Sequence, residues 1–176
     1  DGIVWAPQSW PAGVSPSNLH EIRCAGAACV ALGDNGLVLQ TSGNGWVAGV
    51  VGTSTLRAVA YGNFDGSTTN SGVAAINTWV AVGDNGAYAY VLGGSSAWGI
   101  GTIPGAANLV SVAYTTRFVA VDANGNAYTN PFHAGNPGAA WQVATGSTGI
   151  AAPSSLISNG TRYVVVGTDG SLASSF

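Results

Sequence analysis

Apolar residues in this 176-residue chain come in short blocks or alternate with polar ones, and each block is closed by a polar turn ending in glycine. CVALGDNG (29–36) leads into LVLQTSGNG and Trp46, and WVAVGDNG (79–86) into AYAYVLGGSSA and Trp98. FVAVDANG (118–125) leads into NAYTNPFHAGNPGAA and Trp141, and YVVVGTDG (163–170) into SLASSF. Alternation with a period of two predicts strands, and no long segment carries the 3.6-residue apolar period of a helix. The second unit divides into strands at 56–62, 78–84 and 87–93, with a fourth beginning at Trp98. Asp-Asn-Gly between the second and third strands predicts a primed hairpin turn, because Asn and Gly tolerate the positive φ it needs. The insertions at 63–72 and 131–138 are rich in Gly, Asn, Ser or Pro and read as loops.

The fourth unit reaches Phe176 without its tryptophan. If Phe176 is followed in space by Asp1, the junction runs Ser175-Phe176-Asp1-Gly2-Ile3-Val4-Trp5 and supplies the missing residue. The tryptophans are then spaced by 41, 52 and 43 residues, and by 40 from Trp141 round to Trp5. Such closure predicts a ring, or an endless row of copies, cut at one point. Four-stranded units repeating about an axis are what a β-propeller requires. The expected fold is therefore all-β: a four-bladed propeller with blades at about 19–53, 54–106, 107–150 and 151–176 plus 1–10. Its last blade would close in a three-plus-one manner with the N-terminal strand, from its own chain or a neighbouring copy. Asp1, Gly2, Ile3, Val4, Trp5, Ser175 and Phe176 are the closure residues in that scheme. A β-sandwich is the competing architecture.

V-A-V-G-x-x-G followed by S-x-D-G-x-x-W resembles the Asp-box, or BNR, repeats of sialidase-like propellers and of propellers related to photosystem II assembly factors. The junction from Ser175 to Trp5 matches best, Thr41-Ser42-Gly43-Asn44-Gly45-Trp46 is a degenerate copy, and the other two units keep only their tryptophan. Arg23-Cys24 to Gly33 is similar to the paired-cysteine version in secreted bacterial propellers of this type. The resemblance implies a propeller, in a group whose repeats serve enzymes, lectins and scaffolds alike.

Charge is scarce: four basic and seven acidic residues, where an ordinary domain carries about a quarter charged. The basic residues are all arginine and scattered, at Arg23, Arg57, Arg117 and Arg162, so phosphate backbones find no basic patch and no nucleic-acid partner is expected. Every apolar run is interrupted well before 18 residues, which argues against a membrane span and for a soluble protein. The start at Asp1-Gly2 without an initiator Met fits a processed chain. Cys24 and Cys29 flank a segment short enough for a tight hairpin, which favours a disulfide; buried thiols or a metal site are the alternatives. A disulfide and low charge together point to an extracellular or cell-surface location.

No catalytic constellation emerges. A sialidase-like site needs converging arginines and a Tyr–Glu pair, and the chain has a single glutamate, Glu21. Asp34, Asp84, Asp122 and Asp169 all fall in hairpin turns, where aspartate is a turn former, and His20 and His133 stand far apart. Asn63 to Ser67 begins like a calcium loop but lacks the later bidentate glutamate, so no metal or cofactor is expected. Trp5, Trp46, Trp98 and Trp141 are expected to pack between blades, whereas Trp10 and Trp79, outside that pattern, are the candidates for exposed contacts. The functional expectation is a non-enzymatic structural subunit whose partner is itself, as a homo-oligomer or head-to-tail polymer. A lectin or adhesin binding glycans is the alternative.

Overall fold

The computed structural model describes residues 3–43, 45–64, 76–93, 95–130 and 141–175. Asp1, Gly2 and Phe176 lie outside the described residues, as do most of the two insertions and with them the calcium-like segment from Asp65 onward and His133.

The alternating runs form four antiparallel sheets, each a simple meander. The first contains β1 (Leu19–Ala25), β2 (Ala28–Gly33), β3 (Leu37–Ser42) and β4 (Gly45–Val50). The second contains β5 (Leu56–Phe64), β6 (Ile76–Gly83), β7 (Ala87–Leu92) and β8 (Gly99–Thr102). The third contains β9 (Leu109–Tyr114), β10 (Phe118–Asp122), β11 (Ala127–Asn130) and β12 (Gln142–Val143), and the fourth β13 (Pro153–Ser158), β14 (Tyr163–Gly167) and β15 (Leu172–Ser174). The first strands of successive sheets run against one another, β1 with β5, β5 with β9 and β9 with β13, so later strands lie progressively further out. This is β-propeller architecture.

The second strand of each sheet is apolar on both faces, and in the second and third sheets both faces are buried because a sheet lies on either side. Val30 and Leu32 pack against Trp79 and Ala81. Val80 and Val82 pack against Phe118 and Ala120, and Val119 and Val121 against Tyr163 and Val165. One residue class therefore looks to the following sheet and the intervening class to the preceding one, as the two-residue period dictates. Among the described residues the buried clusters join the first sheet to the second, second to third and third to fourth; none joins the fourth to the first.

Asn35 (φ 54°) and Gly36 (φ 73°) form the expected primed turn, closed by the Leu37 N–H on the Asp34 carbonyl, and Asn85 and Gly86 repeat it. The third and fourth sheets use another turn of the same length. Only Gly125 and Gly170 have positive φ there, with Gly125 N–H donating to Asp122 O and Gly170 N–H to Gly167 O. Gly99 and Gly101 lie against the rings of Tyr90 and Tyr88, where a side chain on β8 would collide.

Candidate assembly interface

The repeat tryptophans follow one rule. Each precedes or begins the fourth strand of its sheet and packs on the face turned to the preceding sheet. Trp46, opposite Thr41, lies over Ala31, Leu37 and Leu39. Trp98 stands just before the pair Tyr90↔Gly99 and fills the first-to-second interface. Trp141 stands just before Thr129↔Gln142, is 7% exposed, and meets Tyr88 at 5.9 Å between ring centroids in the second-to-third interface. Trp98 and Trp141 thus lie between sheets, whereas Trp46 covers its own sheet beside Trp10 and Val14.

The fourth sheet has three strands, and Trp5 is 88% exposed. Ile3 and Val4 are equally open and belong to no strand, so closure by the chain's own N-terminus is not the arrangement seen among the described residues. Trp10 Nε1 donates to Val14 O at 3.1 Å, and both side chains lie over Ala31, Leu37 and Leu39, tying this part of the chain to the first sheet. Trp10 is thereby half-buried rather than an exposed contact. Trp79 is a plain correction: it is 8% exposed, with its ring 4.8 Å from that of Tyr61 in the first-to-second interface. The signal was present in the sequence, since Trp79 occupies the position of Phe118 and Tyr163, each an aromatic that reaches back to the preceding sheet.

Beside this incomplete sheet an open groove of about 730 Å³ runs between the third and fourth sheets. Val119, Val121, Leu156 and Val165 line its buried side, with Tyr163 and Ser175 on the fourth-sheet wall. Ser175 N–H donates to Tyr163 O and Gly167 N–H to Ser171 O, both at 2.9 Å. Backbone groups of alternate residues point to opposite edges of a strand, so those of Leu172 and Ser174 face the outer edge of β15. No partner for them occurs among the described residues.

Several charged groups hold turns, and Glu21 links two sheets. Asp34 accepts from His20 Nε2 at 2.6 Å and Asn18 Nδ2 at 2.8 Å, and these donors, His20 first, hold its carboxyl below the usual range. Arg57 grips Asp84 through two nitrogens, at 2.5 and 2.9 Å. Asp122 is fully buried; burial pushes its carboxyl up, but Asn126, Tyr128 and the Ala107 N–H donate to it and together bring it below the ordinary value. Burial of Tyr128, with the hydrogen bond its hydroxyl donates to the charged Asp122, pushes that phenol up to about 12. Glu21 accepts from the Val59 N–H at 2.7 Å, linking first and second sheets, and burial raises its pKa. Among the described residues no three His, Cys, Asp or Glu side chains cluster as a metal site would need. Cys24 and Cys29 are disulfide-bonded across the β1–β2 pair.

No protein-family model and no curated protein matches the chain. Among solved structures, it is similar to the WD40 β-propeller domain of Doa1, with a TM-score of 0.51 and 12% identity, over 90% of this chain. The chain spans 64% of the length of that structure. A likeness at this identity concerns the fold, and it places the protein in the β-propeller class. Among the described residues no helix is long and apolar enough to cross a membrane.

Proposed function

We propose that the chain is a non-enzymatic structural propeller unit of four blades that assembles head to tail with copies of itself outside the cytosol. The observation that carries this reading is the coexistence, in one chain, of an open strand edge on β15 and an exposed apolar segment, Ile3-Val4-Trp5, that lies in no strand. Strand addition satisfies both, since main-chain hydrogen bonds supply affinity and alternate side chains supply specificity. The contact is heterologous, so it builds rings where the rotation closes and filaments where it does not. Two further features support it. The disulfide suits an oxidising compartment. The following face of the fourth sheet, with Ile157 57%, Val166 36% and Leu172 68% exposed, corresponds to faces that are buried elsewhere in the chain. Light scattering with negative-stain imaging of one sample tests the reading: oligomers or filaments are expected, and a monodisperse single-chain particle across micromolar concentrations refutes it.

A further inference from the structure

Resting on the assembly reading, we infer that the groove between the third and fourth sheets is the socket for Trp5 of a second copy, with Trp5 opposite Ser175 and Pro7 opposite Ala173. Three observations lead there. The first is the tryptophan rule: Trp46, Trp98 and Trp141 all pack on the preceding-sheet face of their own sheet. A fourth tryptophan obeying it would lie between the third and fourth sheets, where the groove of about 730 Å³ stands open.

The second is register. Thr41, the partner of Trp46, lies four residues after Leu37, the residue that follows the hairpin glycine Gly36. Four residues after Ser171, which follows Gly170 in the same way, is Ser175. Tyr163, Val165 and Ala173 face the third sheet, and Ser175 shares the Tyr163 row, so Trp5 opposite Ser175 points into the groove.

The third is hydrogen-bond parity. In the complete sheets the residues just past the fourth strand that continue its ladder inward are Val51, Ile103 and Ala144, whose N–H groups donate to Gly36 O, Gly86 O and Ala127 O. All three stand at odd offsets from their tryptophan. Residues two positions after it direct their N–H outward, and Pro7 is two after Trp5. Proline is admitted on an edge strand where its missing N–H would face solvent. A slip of one residue would place Pro7 where β15 needs a donor, so proline selects this register against its neighbours. Ala6 and Gln8 then meet the free backbone groups of Ser174 and Leu172. The paired strand is consequently residues 5–9, later than the Asp1–Trp5 segment marked out by the repeat alone.

The test uses chains that each carry one added cysteine beside the Cys24–Cys29 disulfide, under mild diamide oxidation. Non-hydrogen-bonded pairs bring side chains close, so a Pro7→Cys chain mixed with an Ala173→Cys chain of distinguishable mass is expected to give a mixed disulfide dimer. Gln8→Cys, whose side chain points to the other face, is expected to give at least ~10-fold less with Ala173→Cys. Trp5→Ala is expected to weaken self-association about 100-fold or more. If the mixture yields no mixed dimer while a doubly substituted chain links to itself, donation between copies is overturned and the socket stands. If neither links while the unsubstituted chain still assembles, the socket and its register are overturned and assembly stands. Failure of both, with a monomeric chain, overturns both.

Discussion

The first and fourth sheets are built from the same repeat and end in opposite conditions. In the first sheet the preceding face is covered: Trp10, Val14 and Trp46 lie over Ala31, Leu37 and Leu39, which are 2–6% exposed. Its second strand opens with Cys29, tied to Cys24, where the other sheets place Trp79, Phe118 or Tyr163 to reach a preceding sheet. The fourth sheet keeps the residues that elsewhere look to a following sheet. Val30 and Leu32 are 2% and 0% exposed, whereas Val166, equivalent to Leu32, is 36% exposed. One end is covered within the chain, and the other lies open among the described residues. The difference teaches that burial here belongs to the neighbour, because the apolar pattern of the strand is the same in both.

The largest expected contrast is between two tryptophans. Trp141→Ala should cost about 3–5 kcal/mol in chemical denaturation, whereas Trp5→Ala should leave single-chain stability within about 0.5 kcal/mol and act on assembly alone. Equal losses in the two variants would erase the distinction between a filled and an empty interface.

Asp122→Ala is expected to cost about 3 kcal/mol, because it strands several buried donors, including the Tyr128 hydroxyl. The pH dependence follows from its lowered folded-state pKa. Its contribution is fully present above the unfolded value of about 4 and is lost as pH falls through the folded value. Thermal melts below about pH 4 should decline less steeply in Asp122→Asn than in the native chain. A parallel decline would remove Asp122 as a source of acid sensitivity.

Replacing Cys24 and Cys29 together by serine opens a short loop and should cost about 2 kcal/mol. The loss should be confined to the first sheet's edge in hydrogen exchange. The smallest effect is expected at Val166→Ser, within about 0.5 kcal/mol for the single chain, against several times that for Val121→Ser, whose side chain is fully buried. Comparable costs would mean that the fourth sheet's outer face is already covered.

Strand positions were legible because the chain punctuates them. The second unit's expected strands at 56–62, 78–84 and 87–93 appear as Leu56–Phe64, Ile76–Gly83 and Ala87–Leu92. Apolar alternation bounded by Asp-Asn-Gly leaves little freedom there. The disulfide was legible for a similar reason, since a five-residue separation in a hairpin places both cysteines on one face. Trp79 was misjudged because it lies outside the fourth-strand tryptophan series, although it heads the same second-strand position as Phe118. Asp122 shares a turn with the other aspartates by spacing. Its carboxylate nevertheless stands where the other sheets have Gly33, Gly83 and Gly167, and only packing reveals it as buried.

By itself the sequence determined the local order of the protein: four units, their strands, their turns and the paired cysteines, all set by interactions between residues close along the chain. Which faces meet was decided by the tertiary structure. A two-residue period says that a strand has two apolar faces, but not whether a neighbouring sheet, an N-terminal segment or open solvent lies against each. That outcome depends on contacts distant in sequence: the chain already showed the fourth unit stopping short of its tryptophan, but the open groove beside it became visible only in three dimensions.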